Sequence, residues 1–180
     1  MCIVINGSGT VTGLAVGGLP DGTVDSGTLA VNSRGTVLQV VEGSSASDVT
    51  LSSTGTWTDT GLTATITPTS ASSKILVIQH QFYIARFNTG GTEWEGSFRI
   101  LKGSTVLYAT VTNAFSAIAA VQSSKARVQM GNTIAQSYLD SPSTTSSTTY
   151  KTQGYMQTGN IFVINRVSAR STLTLMEIAG

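Results

Sequence analysis

This chain has little that staples, charges or catalyses. Its one cysteine, Cys2, cannot form an internal disulfide, and no Cys/His set has zinc-ligand spacing. Stability is therefore expected from packing alone, which suits assembly in a reducing cytoplasm. A chain of 180 residues reads as one domain with a short appendage and buries roughly 70% of its unfolded surface, enough for a core with no metal. Charged side chains are 11% of the total, under half of the roughly 25% common in globular domains. The net charge of +1 provides no concentrated basic face, which argues against a nucleic-acid partner. No apolar run approaches the ~20 residues of a membrane helix. The opening Met1-Cys-Ile-Val-Ile5 lacks the basic flank and apolar stretch of a signal peptide, so no membrane insertion is expected. Gly7-Ser-Gly9 has no third glycine at dinucleotide spacing, and Gly-Lys-Ser/Thr is absent, so no cofactor is expected.

Glycine, serine and threonine fill the space left by charge. Residues 1–33 carry a glycine every few positions, from Gly7 to Gly27, and a Leu19-Pro-Asp-Gly22 turn. Short apolar pieces such as Ile3-Val-Ile5 and Leu29-Ala-Val31 lie between them. Such a segment cannot build a core. We expect it to wind onto partner chains, as an anchoring or assembly segment, because its apolar content disfavours disorder.

From Arg34 to Gly180 the pattern is that of strands. Val37–Val41 is short and β-branched; Val49 to Thr58 alternates; Leu62 to Thr67 stops at Pro68. Lys74 to Ala85 is the longest apolar strand. Glu93 to Lys102 and Thr105 to Val111 flank Gly103-Ser104, a hairpin signal. Residues 113–121 fit a short helix or a strand. Lys125 to Met130 and Ile134 to Leu139 bracket Gly131-Asn132, read as a turn. About ten short strands at regular spacing predict an all-β sandwich or barrel.

The C-terminal strand sets the expectation about assembly. Leu173, Leu175 and Ala179 lie on one face, with Glu177 the lone charge. Thr174, Met176 and Ile178 lie on the other, which makes them the expected subunit-interface set. A strand apolar on both faces has to be covered on both, once by its own domain and once by a neighbour.

With the strands placed, a resemblance appears. Thr36-Val-Leu-Gln-Val-Val41, Ile66-Thr-Pro-Thr-Ser-Ala-Ser-Ser-Lys-Ile-Leu-Val77, Phe98-Arg-Ile-Leu-Lys-Gly103, Tyr138-Leu-Asp-Ser-Pro-Ser-Thr-Thr145, Thr149-Tyr-Lys151 and Ser171-Thr-Leu-Thr-Leu-Met-Glu-Ile178 stand in order over residues 34–180. They resemble the C-terminal domain of bacteriophage tail-fibre and fibre-like virion proteins, particularly of cyanophages. The resemblance implies a jelly-roll-like β-sandwich, a homotrimer, and display on a virion assembled in the host cytoplasm beside other phage tail or capsid proteins. Thr12-Gly-Leu-Ala-Val-Gly-Gly-Leu-Pro-Asp-Gly22 is similar to the linkers that precede such domains. The 33 leading residues span at most ~110 Å when extended. That is too short for a shaft, so a short fibre or fibre tip is expected, with a capsid decoration (cement) protein or tail adaptor as the alternative.

Candidate chemistry is sparse. The one histidine, His80, shares a strand face with Leu76, Ile78, Phe82 and Ile84, while Gln79, Gln81 and Tyr83 share the other. It is expected buried or half-buried and hydrogen-bonded, not metal-ligating. Glu93 and Glu95 sit about 7 Å apart on one strand face, within the range of glycosidase carboxylate pairs. Two exposed acids are more often a solvated face, and no enzyme activity or catalytic residue is expected. Trp94, beside the Gly-rich Asn88–Thr92 loop, offers a flat apolar plate suited to a sugar ring. Arg86, Asn88, Thr92 and Trp94 are therefore the expected contacts to a host-surface glycan receptor, ahead of the polar 140–149 loop.

Overall fold

The computed structural model describes residues 36–87, 93–109, 115–118, 128–158 and 161–180. The leading segment 1–33 lies outside them. The described chain is all-β, built from eleven strands and one short 3-10 turn. The strands are β1 (Val37–Ser45), β2 (Val49–Leu51), β3 (Trp57–Ile66), β4 (Lys74–Phe87), β5 (Glu93–Lys102), β6 (Thr105–Ala109), β7 (Phe115–Ile118), β8 (Val128–Asp140), β9 (Thr148–Thr158), β10 (Ile161–Ile164) and β11 (Ser171–Ile178).

Two antiparallel sheets form a sandwich. Sheet A runs β1-β11-β4, with β8 on the other flank of β4. Strand β4 is 14 residues long, which lets it take β11 along Lys74–His80 and β10 along Tyr83–Arg86. Strand β2 adds to β10. Sheet B runs β3-β9-β5, and β5 is flanked by β6 at one end and β7 at the other. The β5–β6 connection is the expected Gly103-Ser104 hairpin, with Gly103 at φ 57°.

The core has two apolar clusters. Leu62, Ile66, Ile75, Val77, Tyr150 and Leu175 build one; Leu51, Tyr83, Phe98, Met156, Phe162 and Ile164 build the other. Between them lies a buried polar layer. Thr152 Oγ1 donates to Gln81 Oε1 at 3.2 Å, and Gln81 Nε2 donates to Ser171 Oγ at 2.7 Å and Asn165 Oδ1 at 3.2 Å. These partners satisfy Gln81 but not its neighbour. Gln79 and Gln136 stand opposite each other on β4 and β8, both buried, and their four amide atoms have no hydrogen-bond partner. Each such atom costs about 1–3 kcal/mol. Replacing both residues by leucine is expected to raise the melting temperature by several degrees in a thermal scan, because a leucine pair leaves nothing unpaired.

Two sequence expectations need correction, and a third, open between helix and strand, falls to strand. Val49 to Thr58 is not one strand: β2 ends at Leu51, and Gly55 turns the chain at φ 76° before β3. Residues 113–121 contain a strand, β7, and no helix among those described. Gly131-Asn132 makes no turn. Strand β8 passes through it, paired with β4 over thirteen consecutive residues without a shift. A Cβ at Gly131 would meet the Phe82 ring at 3.4 Å, an ordinary contact, so the packing there does not itself require glycine. Pairing along a long neighbour outweighs the turn preference of the dipeptide.

Gly43 of β1 lies directly against the backbone of β3. A Cβ there would lie 1.8 Å from the Thr63 carbonyl oxygen. Gly43→Ala is therefore expected to destabilise the fold by about 3 kcal/mol, since backbone has to move. Urea unfolding measures it, with Ser44→Ala, an exposed neighbour, as the near-neutral control.

Candidate functional site

The expected interface residues Thr174, Met176 and Ile178 all point to the outer face of sheet A, away from buried Leu173, Leu175 and Glu177. Register extends that face into rows. Val40 pairs with Met176, Met176 with Leu76, and Leu76 with Leu139, so one apolar row crosses four strands. Val40 is 56% and Leu139 48% exposed. The next row is Glu42, Thr174, Ile78 and Ser137, and the one after it Ser44, Thr172, His80 and Ala135. Leu76, Ile78, Ala135 and Ser137 line a shallow groove of about 350 Å³ between β4 and β8. The apolar centre therefore has a polar margin, the usual anatomy of a protein interface.

This placement corrects the reading of β4. His80 is exposed, not buried or half-buried, and its companions Leu76, Ile78 and Phe82 are only partly covered. The face that looks more polar in sequence, with Gln79 and Gln81, is the one turned inward.

Sheet B presents a different outer face. Arg99 donates from Nε and Nη2 to Gln153 Oε1 at 2.8 and 2.5 Å, and Gln153 Nε2 donates to Asp59 Oδ1 at 2.7 Å. Lys151 pairs with Asp59 at 3.1 Å. The Arg99 guanidinium lies 4.2 Å from the Trp57 ring centroid, and Trp57 packs on Tyr155 at 5.0 Å. Burial works against ionisation at Asp59, but its bonds to Gln153 and Lys151 outweigh it and hold the carboxyl below its ordinary value. One outer face thus carries an apolar row beside polar rows with a single long Thr174–Glu42 bond, and the other is polar and cross-linked by its own side chains.

The expected receptor residues are only partly placed. Arg86 belongs to β4 opposite Ile161, and Trp94 to β5 opposite Ala117. Asn88 and Thr92 fall outside the described residues, as do the side chains of Arg86 and Trp94. Trp57 falls within the 49–58 segment, and nothing local in the sequence marks it as a contact residue. Its cross-strand partner Tyr155, 98 positions on in the chain, is the signal that a linear reading lacks.

The 140–149 loop has a structural anchor. Buried Asp140 accepts from the Tyr150 hydroxyl at 2.8 Å and pairs with Lys102 at 2.9 Å. Burial, then the Asp140 bond, push the Tyr150 hydroxyl far above its ordinary pKa. The resemblance segments 138–145 and 149–151 meet at this contact. Among the described residues no group of three His, Cys, Asp or Glu side chains gathers to hold a metal. Half-buried Glu95 lies on β5, while the Glu93 side chain is outside the described set. Among the described residues no helix is long and apolar enough to cross a membrane. Compared with protein-family models and with curated proteins, the sequence matches none.

Proposed function

We propose that this protein is a structural component of a bacteriophage particle, a short fibre or fibre tip, that works as a homotrimer. Three copies meet through the outer faces of sheet A, and the 33 leading residues join the trimer to other tail or capsid proteins. The observation that carries this reading is the apolar row Val40–Met176–Leu76–Leu139. With Ile78 and Ile178 it makes a patch of a few hundred Å², since strands lie about 4.8 Å apart and side chains on one face recur about every 7 Å. A solitary domain would leave that patch in water.

The strand order supports a jelly roll. The eight principal strands divide into β1-β11-β4-β8 and β3-β9-β5-β6. Apart from the β5–β6 hairpin, neighbours in each sheet come from distant parts of the chain, as two nested Greek keys require. Sedimentation equilibrium tests the trimer. The expected mass is three chains or a multiple of three, and a single-chain mass at micromolar concentration overturns the proposal.

A further inference from the structure

Sheet edges are where one chain is exposed to another, because an edge strand offers unpaired backbone N–H and C=O groups. Among the described residues almost every edge of this sandwich is blunted. Strands β2, β7 and β6 are three, four and five residues long. Strand β3 breaks register between Asp59 and Thr63 and carries the Asp59–Lys151 ion pair. Strand β1 breaks register between Val37 and Gln39, carries Glu42, and presses Gly43 against the backbone of β3. Short length, irregular register and charge all discourage a further strand.

Strand β8 has none of these, although its Thr133 N–H already donates to Asn132 Oδ1 at 2.8 Å and has to release that bond when another strand pairs. It is 13 residues long, keeps register with β4 throughout, and has no charge and no proline from Gln129 to Leu139. Gly131, Asn132, Thr133, Ala135 and Ser137 are exposed along it. Met130 and Leu139, near its two ends, are 47% and 48% exposed.

We infer that β8 pairs antiparallel with β8 of a second copy about a twofold axis. Elimination identifies the occupant. Joining two sheets edge to edge takes an open edge on each, and of the described strands only β8 has one to offer. The strand also tolerates its own image, since no like charges meet across the axis before Asp140. Overlap of most of the strand forms roughly ten new backbone hydrogen bonds. The contact goes beyond the threefold assembly of the sheet A faces. It is a twofold between trimers and gives six chains where both form.

Cross-linking tests it on the full chain. In a Cys2→Ser background, single cysteines are placed at Asn132, Thr133, Ile134, Ala135 and Ser137 and oxidised mildly. A twofold sets one residue opposite its own copy. One position is therefore expected to give a covalent dimer in high yield, with yields falling on either side. A cysteine at exposed Thr65 on β3 is the collision control. No dimer above that control at any position overturns the pairing.

Charge reversal gives a second reading. In the Met176→Lys background, where the sheet A contact is already removed, Thr133→Lys with Ala135→Lys is expected to halve the assembly mass, and mixing with the matching Thr133→Glu/Ala135→Glu form is expected to restore it. An unchanged mass for the lysine form also overturns the pairing. The cysteine experiment repeated with Met176→Lys, which removes the sheet A contact, separates the two interfaces. Dimers are expected to persist there, so either contact can fail without the other.

Discussion

Glu177→Leu is expected to cost about 4 kcal/mol in urea unfolding, among the largest single-residue effects in this fold. Glu177 is fully buried on the inner face of β11. It accepts from Gln39 Nε2 at 2.5 Å and from the Thr69 backbone N–H and hydroxyl at 2.7 Å each. Those bonds tie β1, the turn after β3, and β11 together. Leucine takes the acceptor from all three donors, although Gln39 Nε2 keeps its bond to the Thr67 carbonyl oxygen at 2.8 Å, and breaking a set on a buried carboxylate typically costs 3–5 kcal/mol. Glu177→Gln keeps one acceptor but turns an amide N–H₂ toward a donor, so an intermediate loss is expected.

Acid reports on the same carboxylate. Burial alone raises the pKa of Glu177, but the bonds from Gln39 and Thr69 outweigh it and lower the value from 4.5 to about 2. The folded pKa is depressed, so this contribution is fully present above pH 4.5 and is lost as pH falls toward 2. It amounts to at most about 3 kcal/mol. The wild type is expected to lose stability through that window, and Glu177→Leu to show a flatter profile there. Equal slopes for the two proteins count against the bonded carboxylate.

Met176→Lys is expected to abolish the threefold assembly, leaving at most the β8-paired dimer, while the fold survives. Met176 sits mid-row between Val40 and Leu76 on the outer face. The side chain is only half-buried in the single chain, so lysine there is tolerated by an isolated domain. In a trimer it places three ammonium groups in a desolvated apolar centre. A weakening of about 1,000-fold or more, roughly 4 kcal/mol, is expected by sedimentation. Circular dichroism should remain that of a β-protein. Thr63→Lys, exposed on sheet B, is expected to leave the mass unchanged. If Met176→Lys assembles as the wild type does, the sheet A face is not the contact.

Strand β4 best shows how far the sequence could be read. Its extent was visible in the apolar run from Lys74 to Ala85, and the alternation assigned residues to two faces. Which face points inward was not visible. Leu76, Ile78 and Phe82 look like core beside Gln79 and Gln81, yet the glutamines are the buried pair. Gln81 is accommodated by Thr152, Asn165 and Ser171, which lie 71 to 90 positions away. A window along the chain contains none of them. Glu177 is similar: it reads as a lone charge, and its partners Gln39 and Thr69 are 138 and 108 positions off.

The amino-acid sequence by itself determined the all-β class, most strand positions, the Gly103 hairpin, and the outward set Thr174, Met176 and Ile178. These depend on period-two alternation and turn chemistry, which are local. Only the tertiary structure decided the inward face of β4, the unbroken course of β8 through Gly131-Asn132, and the meeting of Trp57 with Tyr155 and Arg99. These depend on register between strands distant in the chain. Pairing energy is summed over a whole strand, so it overrides the preference of any one dipeptide or face.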